Sequence, residues 1–174
     1  MEKKHNSILR TPRLTLHPYT EADREQVLSI VCHEAVKPTF MVPDFDSREQ
    51  ADAFFDRLLS IVARGDRFIY GIYLEETLIG FLNDVGMQDG AVEIGYVIHP
   101  DHWGQGFATE AVRAAIEELF RLGCPKVIAG FFAGNTASRR VMEKCGMVKI
   151  PLEEDIEYRG KTHRCLYCGI DNNL

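Results

Sequence analysis

The sequence predicts a single α/β domain of the mixed (α+β) kind over residues 1–174, and three observations carry that expectation. Short apolar runs bounded by Gly and Pro, such as Phe68–Leu74 and Ala91–Ile98, read as strands, whereas Ala51, Phe54, Phe55, Leu58 and Val62 recur at helical spacing. The two kinds of segment are interleaved along the chain, with no repeat, low-complexity tract or linker between them. A chain of 174 residues can bury roughly 70% of its unfolded surface, so neither disulfides nor a structural metal is needed to hold its core.

The elements follow in order. Leu14-Thr15-Leu16 alternates as a first strand ended by Pro18. Thr20, with Asp23 three residues on, caps a helix running to about Val31. His33 to Asp46, with Pro38 and Pro43, is a loop. Ser47-Arg48-Glu49-Gln50 reads as a capping box that opens a second helix, which Gly65 closes. Phe68–Leu74 and Thr77–Val85 form two strands joined at Glu75-Glu76. After a loop over Gly86–Gly90, Ala91–Ile98 is a further strand, stopped by Pro100. A third helix begins near Phe107, with Ala108, Ala111, Val112, Ala115, Ile116, Leu119 and Phe120 on one face, and ends at Gly123 and Pro125. Lys126–Ala133 is a buried strand. Asn135 caps a fourth helix that ends at Gly146, Met147–Ile150 is a strand, and a hairpin turns at Arg159-Gly160-Lys161.

Composition narrows the function classes. Apolar content of 45% against 26% charged residues excludes a disordered chain. Twenty Lys and Arg against 26 Asp and Glu give a net charge of −6, without the basic stripe a nucleic-acid binder needs. Five widely spaced cysteines, an odd number, argue against a disulfide framework and for reduced thiols. Cys165 and Cys168 form a CxxC with no partnering Cys/His pair, and in a strand they face opposite sides, one packed and one half exposed. The six histidines, His99 and His102 among them, lack a carboxylate or Cys cluster, so no metal is expected. The opening Met1-Glu2-Lys3-Lys4-His5-Asn6 has no apolar leader core, and no run approaches the ~18 apolar residues of a membrane span. A soluble cytoplasmic protein is the expectation.

The chemistry concentrates in His99-Pro100-Asp101-His102-Trp103-Gly104-Gln105-Gly106-Phe107-Ala108-Thr109-Glu110, where a strand ends, glycines alternate and a helix starts. Glycines let backbone close on a ligand, and first-turn N–H groups lack internal partners, so the segment suits a phosphate or diphosphate. A plain tight turn is the simplest alternative. A Rossmann site fails, because Thr109 stands at the third glycine and no acidic residue ends the next strand. A Walker A loop fails for want of Gly-Lys-Ser/Thr.

Gly95-Tyr96-Val97-Ile98-His99-Pro100 followed by Trp103-Gly104-Gln105-Gly106-Phe107-Ala108-Thr109-Glu110-Ala111 resembles the acyl-CoA-binding motif of the GNAT superfamily of N-acetyltransferases, and within it the RimJ/RimL-like branch. The likeness continues through Asn135-Thr136-Ala137-Ser138-Arg139-Arg140-Val141-Met142-Glu143-Lys144-Cys145-Gly146-Met147, the opening Thr11-Pro12-Arg13-Leu14-Thr15-Leu16 and the closing hairpin. It implies the GNAT fold, a mixed, mostly antiparallel central sheet flanked by four helices. It also implies acetyl transfer from acetyl-CoA to a primary amine of a protein N-terminus or a small molecule. Two positions depart from the commoner pattern of the superfamily: Trp103 replaces Arg or Gln at the start of the loop, and Met142 replaces a Tyr that protonates the departing thiolate. A thioether cannot donate a proton.

The resemblance implies that Trp103, Gly104, Gln105, Gly106, Phe107, Ala108 and Thr109 hold the diphosphate, and that backbone groups of Tyr96, Val97 and Ile98 meet pantetheine where two strands splay. Asn135 would cap its helix, contact the pantetheine arm, or both. Gln105, Arg139, Arg140 and Lys144 either reach the 3′-phosphate or lie on a solvated face. Glu93, amid Val92, Ile94 and Val97, is the candidate general base; it could equally face outward or bind the substrate ammonium. Ser138 is either the acid for the thiolate or simply a cap. The acceptor would enter past the first two helices, the loop over Phe40–Phe45 and the final hairpin. No residue selects among amines, although net acidity suits a cationic one. Loss of Tyr at Met142 also fits a non-catalytic acyl-CoA sensor. Oligomeric state has no signature here; homodimers are common in this branch.

Overall fold

The computed structural model describes residues 7–173, so the segment Met1–Asn6, on which the leader expectation rests, lies outside the described residues. Its strands are β1 (Leu9–Arg10), β2 (Leu14–His17), β3 (Ile69–Leu74), β4 (Thr77–Gln88), β5 (Ala91–Ile98), β6 (Lys126–Phe132), β7 (Val148–Tyr158) and β8 (Lys161–Asp171). Its helices are α1 (Arg24–Val31), α2 (Arg48–Arg64), α3 (Phe107–Arg121) and α4 (Thr136–Lys144). The strands hydrogen-bond in the order β1-β2-β3-β4-β5-β6-β8-β7. Pairing is antiparallel for β1–β2, β2–β3, β3–β4, β6–β8 and β7–β8, and parallel for β5–β6. This is the mixed, mostly antiparallel α/β architecture expected, with four α-helices among the described residues. None of those helices is long and apolar enough to cross a membrane. By internal contacts the chain forms two compact units.

The first unit runs up to Asn83 and takes in Tyr96–Phe107. Leu14 and Leu16 of β2 alternate inward and pair with Leu74 and Ile72 of β3. A core cluster of the same unit buries Val27, Ile30 and Val31 of α1 with Phe55 of α2 and Phe81 of β4. The helix expected after Thr20 starts as a 3-10 turn over Glu21–Asp23; Thr20 N–H donates to Asp23 Oδ2 at 2.7 Å, as a capping box requires. At α2, Ser47 Oγ accepts from Gln50 N–H at 3.3 Å, but the return arm falls one residue early: Asp46 N–H donates to Gln50 Oε1 at 2.9 Å. Arg24 ties α1 to α2, pairing with Asp52 and Asp56 while its guanidinium lies 4.8 Å over the Phe55 ring.

The second unit comprises Asp84–Gly95 and the chain from Ala108 onward. The loop expected over Gly86–Gly90 is instead strand as far as Gln88. Asp89 (φ 49°) and Gly90 (φ 82°) make a two-residue turn whose positive φ values match the twist of the flanking strands. Ala111, Val112, Ala115, Ile116 and Leu119 bury the expected face of α3, while Ala108 and Phe120 are half-buried. The strand at Met147–Ile150 and the first arm of the hairpin are one element, β7. Its pairing with β8 shifts register between Lys149 and Glu153, where Pro151 has no N–H to give the ladder. Cys165 and Cys168 are both buried, at 5% and 2% exposure, which corrects the expectation that one would be half exposed. The two faces of β8 are both covered here, so alternation does not bring either thiol to solvent.

Candidate active site

In the first unit, β5 ends at Ile98 and a 3-10 turn over Pro100–His102 leads into the glycine loop. His99 N–H donates to the Ile79 carbonyl at 2.7 Å, and its Nδ1 accepts from Asp101 N–H at 3.2 Å, so His99 serves the turn. Trp103 Nε1 donates to the Ile98 carbonyl at 2.7 Å. One of the three backbone carbonyls expected to meet pantetheine thus already accepts an indole N–H. Gly104 (φ 73°) and Gly106 (φ 83°) both occupy the left-handed region that other residues rarely adopt. Trp103, Gly104, Gln105 and Gly106 are exposed, while Phe107 is buried. Val97 lies against β4 so closely that a Cβ on Gly80 would come 2.4 Å from the Val97 carbonyl oxygen.

Arg13 also belongs to this loop. Its Nη1 donates to the Gln105 carbonyl at 2.9 Å, and its guanidinium lies 4.5 Å from the centre of the Phe107 ring. Sequence reasoning placed Arg13 in the opening strand segment and gave it no role, because a contact spanning 92 residues leaves no local pattern.

The helix opened by Phe107 is continuous through Ala108 and Thr109, both half-buried, and its first-turn N–H groups have no intrahelical acceptors. In the second unit, Cys145 Sγ donates to the Thr109 carbonyl at 3.4 Å, fastening the end of α4 to the first turn of α3. Asn135 caps α4, its Oδ1 accepting from Ser138 N–H at 3.1 Å. Ser138 is half-buried and Arg140 exposed. Arg139 pairs with Glu143 on its own helix at 2.7 Å, which favours the solvated-face reading for that residue. Met142, where a proton-donating Tyr is commoner, is 1% exposed and part of the core.

Glu93 stands opposite Ile128 at the last pair of the β5–β6 ladder; β5 continues to Ile98 and β6 to Phe132. It is half-buried, and burial first, then the nearby Glu154 carboxylate, raises its pKa above the ordinary 4.5. Tyr167 OH donates to Glu154 Oε1. The Tyr167 ring lies over Gly130, where a Cβ would meet it at 2.9 Å. Burial, the bond to Glu154 and the charge of Glu93 push the Tyr167 phenol well above its ordinary value. The second unit therefore groups Glu93, Glu154 and Tyr167, of which only Glu93 was singled out from sequence. Among the described residues no three His, Cys, Asp or Glu side chains gather into a metal-binding group.

The first unit thus carries a left-handed glycine loop that follows a strand and opens a helix, and the second a half-buried carboxyl of raised pKa, Glu93. The acetyltransferase (GNAT) domain family matches residues 13–148, and the chain belongs to that family. It is 29% identical over 160 residues to the N-acetyltransferase YoaA of Bacillus subtilis strain 168, covering 89% of this chain and 90% of that protein. Among solved structures it is similar to a GNAT-family acetyltransferase from Bacillus anthracis (TM-score 0.83, 22% identity, 97% of this chain and 100% of that one). It is also similar to RimL, a ribosomal L7/L12 alpha-N-protein acetyltransferase solved in complex with coenzyme A (TM-score 0.82, 19% identity, 95% and 98%). These likenesses establish the fold and place the RimJ/RimL-like expectation among its neighbours.

Proposed function

We propose that the chain transfers an acetyl group from acetyl-CoA to a primary amine, a protein N-terminus or a small-molecule amine, by direct attack. The observation that carries this reading is the loop of Trp103–Phe107, whose two left-handed glycines lead directly into the N-terminus of α3. In this scheme the amides from Gly104 to Thr109 hold the diphosphate, and backbone groups of Tyr96 and Val97 meet the pantetheine arm. Asn135 holds the start of α4, and Arg140 is the cation assigned to the 3′-phosphate.

Attack requires a neutral amine, because an ammonium has no lone pair. Glu93 accepts that proton, directly or through water, and its raised pKa makes it a stronger base than a fully solvated carboxylate. The amine lone pair adds to the thioester carbon, the C–S bond breaks as the tetrahedral adduct collapses, and the departing thiolate ends with the proton that the nitrogen sheds, leaving a neutral amide and a free thiol. Ser138 donates a hydrogen bond or proton to that sulfur, a role Met142 has no hydrogen to fill. Glu93 and Glu154 favour a cationic acceptor, and the buried thiols suit a reducing cytoplasm.

The test is release of coenzyme A from acetyl-CoA across a panel of N-terminal peptides, polyamines, amino acids and aminoglycosides, with the wild type and Glu93→Gln. Turnover with at least one amine, lost in Glu93→Gln, supports the reading. Tight coenzyme A binding with no turnover on any amine would instead identify an acyl-CoA sensor.

A further inference from the structure

We infer that Arg13 is a positioning residue for the diphosphate-binding loop, an inference that rests on the acetyl-CoA reading above. Two contacts hold the guanidinium against the loop from within the same unit: Nη1 donates to the Gln105 carbonyl at 2.9 Å, and the planar group lies 4.5 Å from the Phe107 ring centre. A third dimension is set by Gly106, where a Cβ would stand 3.4 Å from Nη2. The guanidinium thus touches Gln105 and Phe107 and borders the space a side chain at Gly106 would enter.

The consequence follows from peptide geometry. The described peptide bonds include no cis bond, so the Gln105 carbonyl and the Gly106 N–H point in opposite directions across one rigid plane. Fixing the carbonyl on Arg13 therefore turns the Gly106 N–H away from the guanidinium. Because Gly106 can take either sign of φ, that plane flips easily when nothing anchors it. Arg13 removes that freedom before the ligand arrives, and the loop does not spend binding energy on ordering itself. The planar, always charged fork suits this task better than an ammonium, because it can bond a carbonyl at its edge and cover a ring with its face.

The experiment measures equilibrium binding of three probes to the wild type, Arg13→Met and Arg13→Lys: coenzyme A, dephospho-coenzyme A, which keeps the diphosphate, and pantetheine, which lacks it. In Arg13→Met, coenzyme A and dephospho-coenzyme A should both weaken by about tenfold or more, while pantetheine affinity stays within twofold. Arg13→Lys keeps a donor for Gln105 and should recover part of the loss. Unchanged coenzyme A affinity in Arg13→Met, an equal loss for pantetheine, or a loss confined to coenzyme A would each overturn the inference. If the wild type binds no coenzyme A, the proposed function fails as a whole; if it binds and Arg13→Met binds alike, only the role of Arg13 fails.

Discussion

The indole N–H of Trp103 donates to the carbonyl of Ile98 at 2.7 Å, so the first residue of the glycine loop is pinned to the last residue of β5. The ring itself is half exposed at 49%, which means that its bond, rather than its burial, fixes the loop's origin. Replacement by Phe keeps most of the apolar bulk and removes the donor. A net hydrogen bond of about 0.5–1.5 kcal/mol corresponds to a two- to tenfold weaker affinity for coenzyme A. Calorimetry on Trp103→Phe should read that loss, and an unchanged affinity would show that the bond does not shape the loop.

Alanine at Gly104 or Gly106 separates backbone strain from crowding. A Cβ on Gly104 meets nothing within 4 Å, and one on Gly106 meets only Arg13 Nη2 at 3.4 Å. Both positions nevertheless hold φ values of 73° and 83°, where an L side chain costs about 1–2 kcal/mol. Each variant should melt several degrees below the wild type. Both should also bind coenzyme A more weakly, since the relaxed loop turns its amides elsewhere. A variant that melts normally and binds normally would show that the loop tolerates a side chain.

Glu93 has a pH signature whose sign is fixed by its surroundings. Its folded-state pKa lies above the ordinary value, because burial and Glu154 disfavour the carboxylate. A group that binds its proton more tightly when folded adds stability at low pH, and that contribution disappears as pH rises through the folded pKa. Glu93→Gln should therefore be at least as stable as the wild type at neutral pH, and lose that advantage on acidification. In catalysis the same group gives kcat/KM a limb that rises with pH above the ordinary carboxylate range. Glu93→Gln should lower kcat by about 10²–10⁴-fold and remove the limb. A variant that retained the limb would place the base elsewhere.

Gly80 and Gly86 lie on one strand and predict opposite outcomes. A Cβ at Gly80 would stand 2.4 Å from the Val97 carbonyl oxygen, a backbone atom that cannot swing aside, whereas one at Gly86 meets nothing within 4 Å. Gly80→Ala should cost about 1–3 kcal/mol, as overpacking does, and should disturb coenzyme A binding through Val97. Gly86→Ala should leave both near wild type. Urea denaturation of the pair checks this, and equal midpoints would refute the close approach.

Much of the fold was legible because local chemistry and tertiary structure agree. β5 spans the same residues as the apolar run that predicted it, Gly65 ends α2 in the left-handed region, and Asn135 caps α4 through Ser138. What escaped was set by partners distant in sequence. The strand character of Gly86–Gln88 comes from hairpin pairing rather than from apolar alternation, and β7 passes through Pro151 because β8 resumes the ladder beyond it. The two-residue strand β1 is too short to carry a period; pairing with β2 creates it. The glycine loop was readable from spacing, and Glu93 from a lone carboxylate in an apolar run. Arg13, Glu154 and Tyr167 were not, since each meets its neighbours only after the sheet has formed.

The distribution of sulfhydryls decides how this enzyme can be followed in solution. Cys124, Cys145, Cys165 and Cys168 are buried, Cys145 with a pKa pushed up to about 11, and only Cys32 is exposed. An aromatic disulfide dye used to colour each turnover therefore encounters one reachable chromogenic site per folded chain. Full unfolding should expose all five, so the colour yield doubles as a gauge of how much of a preparation is native.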